Sequence, residues 1–233
     1  MQGTARISLK NPFDPKIHWP KVKTVLLDMD GTLLDRHFDD HFFLETVPKY
    51  YAKQRNISPE QALQEIIEAY QKVERTLLWY DLDYWSRTLG MDIPLLKQEV
   101  AHLIAVHPHV ITFLQTVRAT GRPLHLVTNA HSASLALKMQ RTPIGAYFNT
   151  ITSSHDLGLP KENPDFWPRL ETKLGFDKTT TLLAEDSESV LESAAQYGLG
   201  FLIHIAAPSS TLDPAFSKHF SSFQDFTDLI PNV

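Results

Sequence analysis

The stretch VLLDMDGTLLD, residues 25–35, joins a short apolar run to two closely spaced carboxylates. The run begins at Val22 and has the length and composition of a strand buried on both faces. Asp28 and Asp30 follow it at positions i and i+2, next to a turn-forming Gly31. Two carboxylates a few ångströms apart repel each other by roughly 4 kcal/mol at an effective dielectric constant near 20, and a divalent cation would relieve that repulsion. Taken alone, the pair is explained equally well by a turn in which an aspartate caps backbone amides.

Three further apolar segments are similar to the first one and alternate with helical patterns. The strands are predicted at Leu124–Val127, Thr181–Ala184 and Phe201–Ile205. The helices are predicted over Val110–Ala119 and Ser132–Met139, after an Asn163 N-cap with Pro164 in the first helical position, and from a Ser187 cap to a stop at Gly198. Alternation of this kind predicts an α/β fold with a Rossmann-like, doubly wound parallel sheet.

The stretch between the first and second strands breaks this alternation. Ser58-Pro59-Glu60-Gln61 is a capping-box pattern, and apolar residues at helical spacing follow it up to Leu77. We therefore expect an irregular N-terminal arm at residues 1–21, an α/β core at residues 22–35 and 107–233, and an inserted all-helical cap at residues 36–106.

The overall composition excludes several functions. The 233 residues carry a formal net charge of −5, which argues against a broad nucleic-acid-binding surface. There is no cysteine, so disulfides, cysteine nucleophiles and thiolate zinc sites are ruled out. No apolar stretch has the roughly 20 residues of a membrane span, and the N-terminus lacks the apolar segment of a secretory signal. We therefore expect a cytoplasmic protein with a small-molecule substrate and neither a nucleic-acid nor a membrane partner.

Polar residues stand at the ends of the other predicted strands. Thr128 and Asn129 follow the second predicted strand, and Glu185 and Asp186 follow the third. The carboxyl ends of parallel strands share one edge of the sheet, where ligands bind at the topological switch point. Lys161, in a loop after the second strand, can bring a positive charge to that edge. Acidic residues for a hard cation, hydroxyl and amide groups, and one lysine predict a phosphoryl-transfer site.

In this order, these residues resemble the four motifs of the haloacid dehalogenase (HAD) superfamily: Asp28-x-Asp30, Thr128, Lys161 and Glu185-Asp186. The resemblance implies that Asp28 attacks phosphorus to give an aspartyl-phosphate. It implies that Asp30 protonates the leaving alkoxide and then activates water. Thr128 and Lys161 are then expected to hold the phosphoryl oxygens. The implied Mg²⁺ ligands are Asp28, the carbonyl of Asp30, Asp186, and Glu185 directly or through a water.

Longer segments narrow the resemblance. VLLDMDGTLLD, TLLWYDLDYWSRTLG and LVTNAH are similar to a bacterial branch of GMP/IMP 5′-nucleotidases, over a span from about Val22 to Pro231. That similarity implies a purine nucleoside monophosphate as the substrate. A purine needs a flat apolar wall, which Trp79, Tyr84 and Trp85 could form, although the same side chains could equally hold the cap helices together.

Other residues near the motifs are predicted substrate contacts. Arg36, Phe38 and Asp39 follow the Asp28-x-Asp30 motif closely enough to meet the substrate, and the amides around Gly31 suit a phosphate. Asn129 and His131 lie at a helix start after the second strand, which also suits a phosphate. For His131, a surface position at the helix N-terminus is an equally good interpretation.

Four other functions use the same fold or the same residues. A haloalkanoate dehalogenase needs neither the acid Asp30 nor a cation at Asp186. A phosphonate hydrolase needs an activated cap lysine, and nothing marks Lys49, Lys53 or Lys72 as buried. A phosphatase or phosphomutase acting on a small sugar phosphate shares the aspartate pair and differs mainly in the cap. A non-catalytic phosphate-binding regulatory module is disfavoured by the intact set of mutually repelling carboxylates.

Overall fold

The computed structural model describes residues 17–231, in which six parallel strands form one sheet. The strands are β1 (Thr24–Leu27), β2 (Leu124–Thr128), β3 (Thr150–Ser153), β4 (Thr181–Glu185), β5 (Phe201–Ile205) and β6 (Ser221–Phe223), in the spatial order β3-β2-β1-β4-β5-β6. Every neighbouring pair is parallel. The chain places β2 on one side of β1 and β4 on the other, so the topological switch point lies at the carboxyl end of β1. Most of the predicted N-terminal arm lies outside the described residues.

The strands that the sequence predicts are the four interior strands of the sheet, β1, β2, β4 and β5. Every residue of β1, β2 and β4 is buried. The edge strands β3 and β6 were not predicted, because they consist mainly of Thr and Ser and lack the apolar run of a strand buried on both faces.

A segment between β1 and the core helices contains helices and no strand, and we call residues 37–103 the helical insertion. Its α-helices are α1 (His37–His41), α2 (Val47–Arg55), α3 (Pro59–Gln71), α4 (Leu77–Tyr80), α5 (Leu82–Leu89) and α6 (Ile93–Glu99), and a π-helical turn (Phe42–Thr46) joins α1 to α2. Ser58 caps α3, its Oγ accepting a hydrogen bond from the Gln61 amide at 3.1 Å. The helical insertion has its own hydrophobic cluster, which includes Phe42, Ile66 and Trp85. The predicted domain limits at residues 36 and 106 stay a prediction.

Four helices cover the two faces of the sheet. They are α7 (Val110–Ala119) and α8 (Ser132–Arg141) on one face, and α9 (Phe166–Leu174) and α10 (Glu188–Tyr197) on the other. Val25 and Leu27 of β1 pack in the cluster under α7, whereas Leu26 packs under α9 and α10, as the two-residue period of a strand requires. The predictions for α7 and for an α10 bounded by Ser187 and Gly198 are confirmed. Within residues 17–231, no helix combines the length and apolar character needed to cross a bilayer.

The predicted start of α9 is wrong. The helix begins at Phe166, with Asp165 as its N-cap, and not at Pro164. The Asn163 Oδ1 atom accepts a hydrogen bond from the Asp165 amide at 2.9 Å, so the asparagine forms a local turn before the helix instead of capping it.

The helical insertion leaves and rejoins the core through two adjacent chain segments. Leu34 and Val106 form an antiparallel bridge. Next to it, the Asp35 amide donates a hydrogen bond to the Ala105 carbonyl at 2.9 Å. We call these paired segments, residues 34–35 and 105–106, the neck.

Candidate active site

The carboxyl edge of the sheet brings together residues that follow β1, β2 and β4. Asp28 is 5% exposed, and Lys161 Nζ donates a hydrogen bond to its Oδ1. The same ammonium donates to Glu185 Oε2 at 2.7 Å and to the Val127 carbonyl at 3.1 Å. Acceptors at the ends of three strands therefore occupy the donors of one buried lysine and fix its position beside Asp28.

Asn129 holds the loop that carries this lysine. Its Oδ1 accepts a hydrogen bond from the Lys161 amide at 3.0 Å, and its Nδ2 donates to Glu162 Oε2 at 3.0 Å. The other oxygen of Glu162 accepts a hydrogen bond from the Tyr80 hydroxyl at 2.5 Å. A continuous polar chain thus runs from the end of β2 to the helical insertion.

Gly31 shapes the loop between the Asp28–Asp30 pair and the helical insertion. Its φ of +84° is the left-handed conformation that glycine adopts most readily. A Cβ at this position would lie within 2.7 Å of the Asp186 Cγ and would overlap its carboxylate. The absence of a side chain therefore lets Asp186 approach the loop that holds Asp28 and Asp30.

A cavity of about 450 Å³ lies between the core and the helical insertion, within the usual size range of small-molecule sites. Its floor consists of the core residues Asp28, Asp30, Thr128, Lys161, Glu185 and Asp186. Its roof includes the aromatic and apolar insertion residues Phe43, Leu44, Tyr70, Trp79, Leu82 and Trp85. The charged insertion residues Asp39, Asp40 and Lys97 also line the cavity. The charged residues of the floor therefore face a roof with a large aromatic and apolar surface.

The floor offers a ligand set suited to a hard divalent cation. Carboxylate oxygens of Asp28, Glu185 and Asp186 lie within 4.8 Å of one another. Six carboxylates and four cationic side chains line the cavity, so the ionised lining carries a charge of −2: Asp28, Asp30, Asp39, Asp40, Glu185 and Asp186 against Arg36, Lys97, Lys138 and Lys161. A divalent cation would neutralise that charge, and oxygen ligands are those that Mg²⁺ prefers.

The acids on the floor have displaced pKa values. Burial raises the pKa of Asp28 to about 6, with the Glu185 carboxylate adding to the rise and Lys161 opposing it. Burial also raises the pKa of Glu185 to about 7 and that of Asp186 to about 6. Burial alone would lower the pKa of Lys161, but the Asp28 and Glu185 carboxylates outweigh it and raise that pKa above its usual value. The floor therefore keeps a charged ammonium beside acids that a cation would help to ionise.

A profile of the haloacid dehalogenase-like hydrolases matches residues 22–198, which include every residue of the floor. This chain belongs to that family. The GMP/IMP nucleotidase YrfG of Escherichia coli (strain K12) is 36% identical to this HAD hydrolase over 217 residues, covering 93% of this chain and 98% of the relative. A phosphoglycolate phosphatase of Nitrosospira multiformis is 29% identical over 194 residues, covering 78% of this chain and 83% of the relative.

A solved structure supports the same fold. The crystal structure of a HAD phosphatase from Thermococcus onnurineus has a TM-score of 0.76 at 22% identity, covering 89% of this chain and 96% of that one. Together, these comparisons confirm the predicted α/β Rossmann-like fold, the resemblance to the HAD superfamily and its nucleotidase branch, and a HAD-type phosphohydrolase.

Most of the predicted site residues of this HAD hydrolase line the cavity. In addition to the floor, these are Arg36, Trp79, Trp85, Asn129 and His131. The Arg36 Nη1 atom donates a hydrogen bond to Asp186 Oδ2 at 2.9 Å. His131 is the N-cap residue of α8, and its Nε2 lies 3.9 Å from Asp81 Oδ1 of the helical insertion.

Three predicted contacts, Gly31, Phe38 and Tyr84, are not among the lining residues. Gly31 packs against Asp186 instead. Phe38 is 1% exposed, and its ring lies under the ammonium of Lys97 at 4.9 Å. Tyr84 packs edge-on against Trp85 at 5.0 Å between ring centroids. Trp85 itself is 1% exposed and donates a hydrogen bond to the Trp79 carbonyl at 2.9 Å, so it also holds the roof together.

Four polar residues in or beside the cavity were not predicted from the sequence: Tyr80, Lys97, Lys138 and Glu162. No motif contains them, and lysines at helical positions are usually solvated. Asp39, which was predicted to lie close to the substrate, lines the cavity. The lysines considered for phosphonate chemistry, Lys49, Lys53 and Lys72, are exposed. The buried lysine of the helical insertion is Lys97, whose Nζ is paired with Asp39 Oδ1 at 2.6 Å.

Proposed function

We propose that this HAD hydrolase is a Mg²⁺-dependent phosphomonoesterase that acts through an aspartyl-phosphate on purine nucleoside 5′-monophosphates. The observation that carries the proposal is the cavity itself, which places the buried Asp28–Lys161 pair opposite aromatic side chains of the helical insertion. The similarity over almost its whole length to a relative named a GMP/IMP nucleotidase supports the nucleotide specificity.

In the first half-reaction, a carboxylate oxygen of Asp28 forms a bond to phosphorus. The bond from phosphorus to the 5′ oxygen breaks, and its electron pair stays on that oxygen. The oxygen then takes a proton from Asp30. An alkoxide is a poor leaving group, so a positioned acid accelerates this step by on the order of 10²–10⁴-fold. Burial raises the pKa of Asp30 to about 6, which favours the protonated form that this step needs.

In the second half-reaction, water attacks the aspartyl-phosphate and gives its proton to the carboxylate of Asp30. The bond between phosphorus and the Asp28 oxygen breaks, and its electron pair returns to the Asp28 carboxylate. Inorganic phosphate is released, and Asp30 is protonated again, now by the proton from water. Two moderate barriers thus replace one high barrier.

The other floor residues orient the phosphoryl group. Lys161 presents a positive charge beside Asp28, and Thr128 lies at the end of β2 with its Oγ1 accepting a hydrogen bond from the Ala130 amide at 3.0 Å. The hydroxyl proton of Thr128 therefore remains available to a phosphoryl oxygen. The amide groups at the start of α8 provide further donors.

Asp28, Asp186 and the carbonyl of Asp30 would hold Mg²⁺, with Glu185 contributing directly or through a water. Bound there, the ion would offset the negative charge of the phosphoryl group and of Asp28. Few protein oxygens are needed, because Mg²⁺ usually keeps several waters. The charge of the cavity lining and the spacing of the three carboxylates support this assignment.

The roof is proposed to hold the purine base. Trp79 and Tyr70 line the cavity with their rings 5.7 Å apart, and Leu44 and Leu82 extend the apolar surface. A flat heteroaromatic base can stack on such a surface, whereas a small sugar phosphate would leave it uncovered.

A substrate panel tests the proposal. GMP, IMP, other nucleoside monophosphates, phosphoglycolate, sugar phosphates and a phosphonate are incubated with the protein, with Mg²⁺ and with a chelator. GMP and IMP are expected among the best substrates, with activity lost on chelation. If a sugar phosphate or phosphoglycolate is preferred over all nucleotides, the nucleotidase assignment fails and the phosphatase assignment survives. Full activity under chelation contradicts the metal assignment.

A further inference from the structure

Four charged side chains connect the loop after β1, which carries Asp30, to the helical insertion. We call Asp30, Asp39, Lys97 and Lys138 the charge cluster. Lys138 of α8 donates hydrogen bonds to Asp30 Oδ1 at 2.6 Å and to Asp39 Oδ2 at 2.6 Å. Lys97 of α6 donates to the other oxygen of Asp39, Oδ1, at 2.6 Å. Asp39 of α1 is therefore held between two lysines, and only one of them, Lys138, contacts Asp30.

The charge cluster is electrically balanced and largely removed from water. The side chains of Lys97 and Lys138 are each 2% exposed, and two cations face two anions. The ammonium of Lys97 also lies 4.9 Å from the ring centroid of Phe43, which favours a cation. Removal of a single member would leave a buried charge without a partner, which is strongly destabilising.

Lys138 contacts only one of the two carboxylate oxygens of Asp30. Lys138 occupies Oδ1, and no other side chain or amide within residues 17–231 donates a hydrogen bond to this carboxylate. The side chain of Asp30 is 24% exposed and lines the cavity, so Oδ2 is the oxygen available to the substrate. The terminal torsion of an aspartate has a broad energy minimum, and anchoring one oxygen by a charged hydrogen bond fixes the direction of the other.

We propose that Lys138 is a positioning residue that, by holding Oδ1 of Asp30, directs Oδ2 toward the oxygen of the leaving group. Lys138 exchanges no proton in this role. From the side of the helical insertion, Asp39 Oδ2 accepts a second hydrogen bond from Lys138 and balances its charge. The inference rests on the proposed function, in which Asp30 protonates the leaving group.

Two other roles for Lys138 make different kinetic predictions. If Lys138 only stabilises the fold, its loss lowers kcat/KM for all substrates by the same factor. If it binds the phosphoryl group, its loss raises KM for all phosphate esters alike. A residue that positions the acid matters most for substrates whose leaving group needs a proton, which are alkyl phosphates and not p-nitrophenyl phosphate.

A matched pair of double variants separates these roles. Lys138→Met/Asp39→Asn and Lys97→Met/Asp39→Asn each remove one buried lysine and the same aspartate, so both keep the charge cluster neutral. Only the second retains Lys138 on Asp30. For each protein, kcat/KM with Mg²⁺ is measured for GMP, or for the best alkyl phosphate if GMP is not cleaved, and for p-nitrophenyl phosphate. This parameter covers the steps up to departure of the leaving group and excludes hydrolysis of the aspartyl-phosphate.

The Lys138→Met/Asp39→Asn variant is expected to lose on the order of 10–10²-fold more activity on the alkyl phosphate than on p-nitrophenyl phosphate. We compare the variants by their substrate ratio, which is kcat/KM for the alkyl phosphate divided by kcat/KM for p-nitrophenyl phosphate. The Lys97→Met/Asp39→Asn variant is expected to keep the substrate ratio of the wild type. Equal ratios in the two variants overturn the inference. If the wild-type protein cleaves neither substrate, the proposed function fails instead.

Circular dichroism checks that both variants fold. If Lys138→Met/Asp39→Asn does not, Lys138→Gln/Asp39→Asn replaces it, because the glutamine is polar and uncharged. The same decrease in the substrate ratio is expected for that variant. A substrate ratio equal to that of the wild type overturns the inference.

Discussion

The floor and the roof of the cavity are built in different ways. On the floor, Lys161 is fixed by acceptors at the ends of three strands, and Asn129 fixes the loop that carries it. On the roof, the aromatic side chains mostly contact one another, as in the edge-on pair of Tyr70 and Trp85 at 4.8 Å. The floor is therefore specified by directional polar contacts and the roof by packing.

This difference suits the floor to a chemical step and the roof to ligand recognition. Directional contacts tolerate little displacement, as a chemical step requires. Packing of apolar side chains tolerates exchange of similar volumes, so a roof can change its ligand without changing the reaction. The charge cluster is the exception, because it carries directional contacts from the roof side down to Asp30.

The largest expected effect comes from Asp28→Asn on the floor. Loss of the nucleophile should lower activity on every substrate by on the order of 10⁴–10⁶-fold, as for other covalent nucleophiles. The measurement is Mg²⁺-dependent hydrolysis of p-nitrophenyl phosphate. Asp213→Asn, at an exposed aspartate outside the cavity, is the control and should match the wild type. Retention of a large part of the activity in Asp28→Asn would contradict the mechanism.

Asp30→Asn should be the next most damaging change. A lost general acid costs on the order of 10²–10⁴-fold when the leaving group is an alkoxide. The loss in kcat/KM should be much smaller for p-nitrophenyl phosphate, because its phenolate leaves without protonation. Equal losses on the two substrates would remove Asp30 from the acid role.

A roof variant should change recognition and leave the chemistry intact. Trp79→Ala is expected to raise KM for GMP about 10-fold, because base–aromatic stacking contributes roughly 1–3 kcal/mol. Its kcat for p-nitrophenyl phosphate should stay near that of the wild type. Tyr84→Ala is the matched control, since Tyr84 belongs to the same aromatic group without lining the cavity. If both variants raise KM equally, stacking on Trp79 is not the cause.

The smallest effect concerns stability and pH. Burial raises the pKa of Asp28 from 3.8 to about 6, so the folded protein binds a proton that the unfolded chain has released between these values. The stability contributed by this group is present below the lower value and is lost as the pH rises through about 6. Between pH 5 and pH 7.5 the loss is about 1 kcal/mol, since one pKa unit corresponds to 1.36 kcal/mol.

Comparison of Asp28→Asn with the wild type isolates this contribution. Without Mg²⁺, the variant should gain stability relative to the wild type between pH 5 and pH 7.5. The expected gain in melting temperature is roughly 2–4 °C for a chain of this size. A melting-temperature difference that is independent of pH would show that Asp28 is ionised at both pH values.

The parts of the structure that could be predicted from the sequence are the interior strands and most of the floor. The interior strands were predictable because burial on both faces requires an apolar run. The acidic and threonine residues of the floor were predictable because they stand at the ends of those strands, whereas Lys161, in a loop after β3, was predicted from its place in the order of the four motifs. The edge strands β3 and β6 were not, since one side of each is free of the sheet and polar residues suffice there. Asn163-Pro164 misled the prediction of α9 because the same pair suits a helix start and a local turn.

The charge cluster could not be read from the sequence. Lys138 and Asp30 are 108 residues apart, and Lys97 and Asp39 are 58 residues apart. Nothing local distinguishes these lysines from solvated ones on other helices. Their burial is decided by how α6 and α8 approach each other, which depends on the whole fold.

The neck has a consequence for how this enzyme can be remodelled. Residues 34–35 and 105–106 bring the two ends of the helical insertion side by side, joined by a hydrogen bond of 2.9 Å. A foreign helical module whose own ends lie at that spacing could be spliced in there without extra linker. Such a transplant would replace the roof of the cavity in one step and would keep the floor on the original α/β core. The hybrid protein would need a new partner for Lys138, because Asp39 belongs to the helical insertion that is removed.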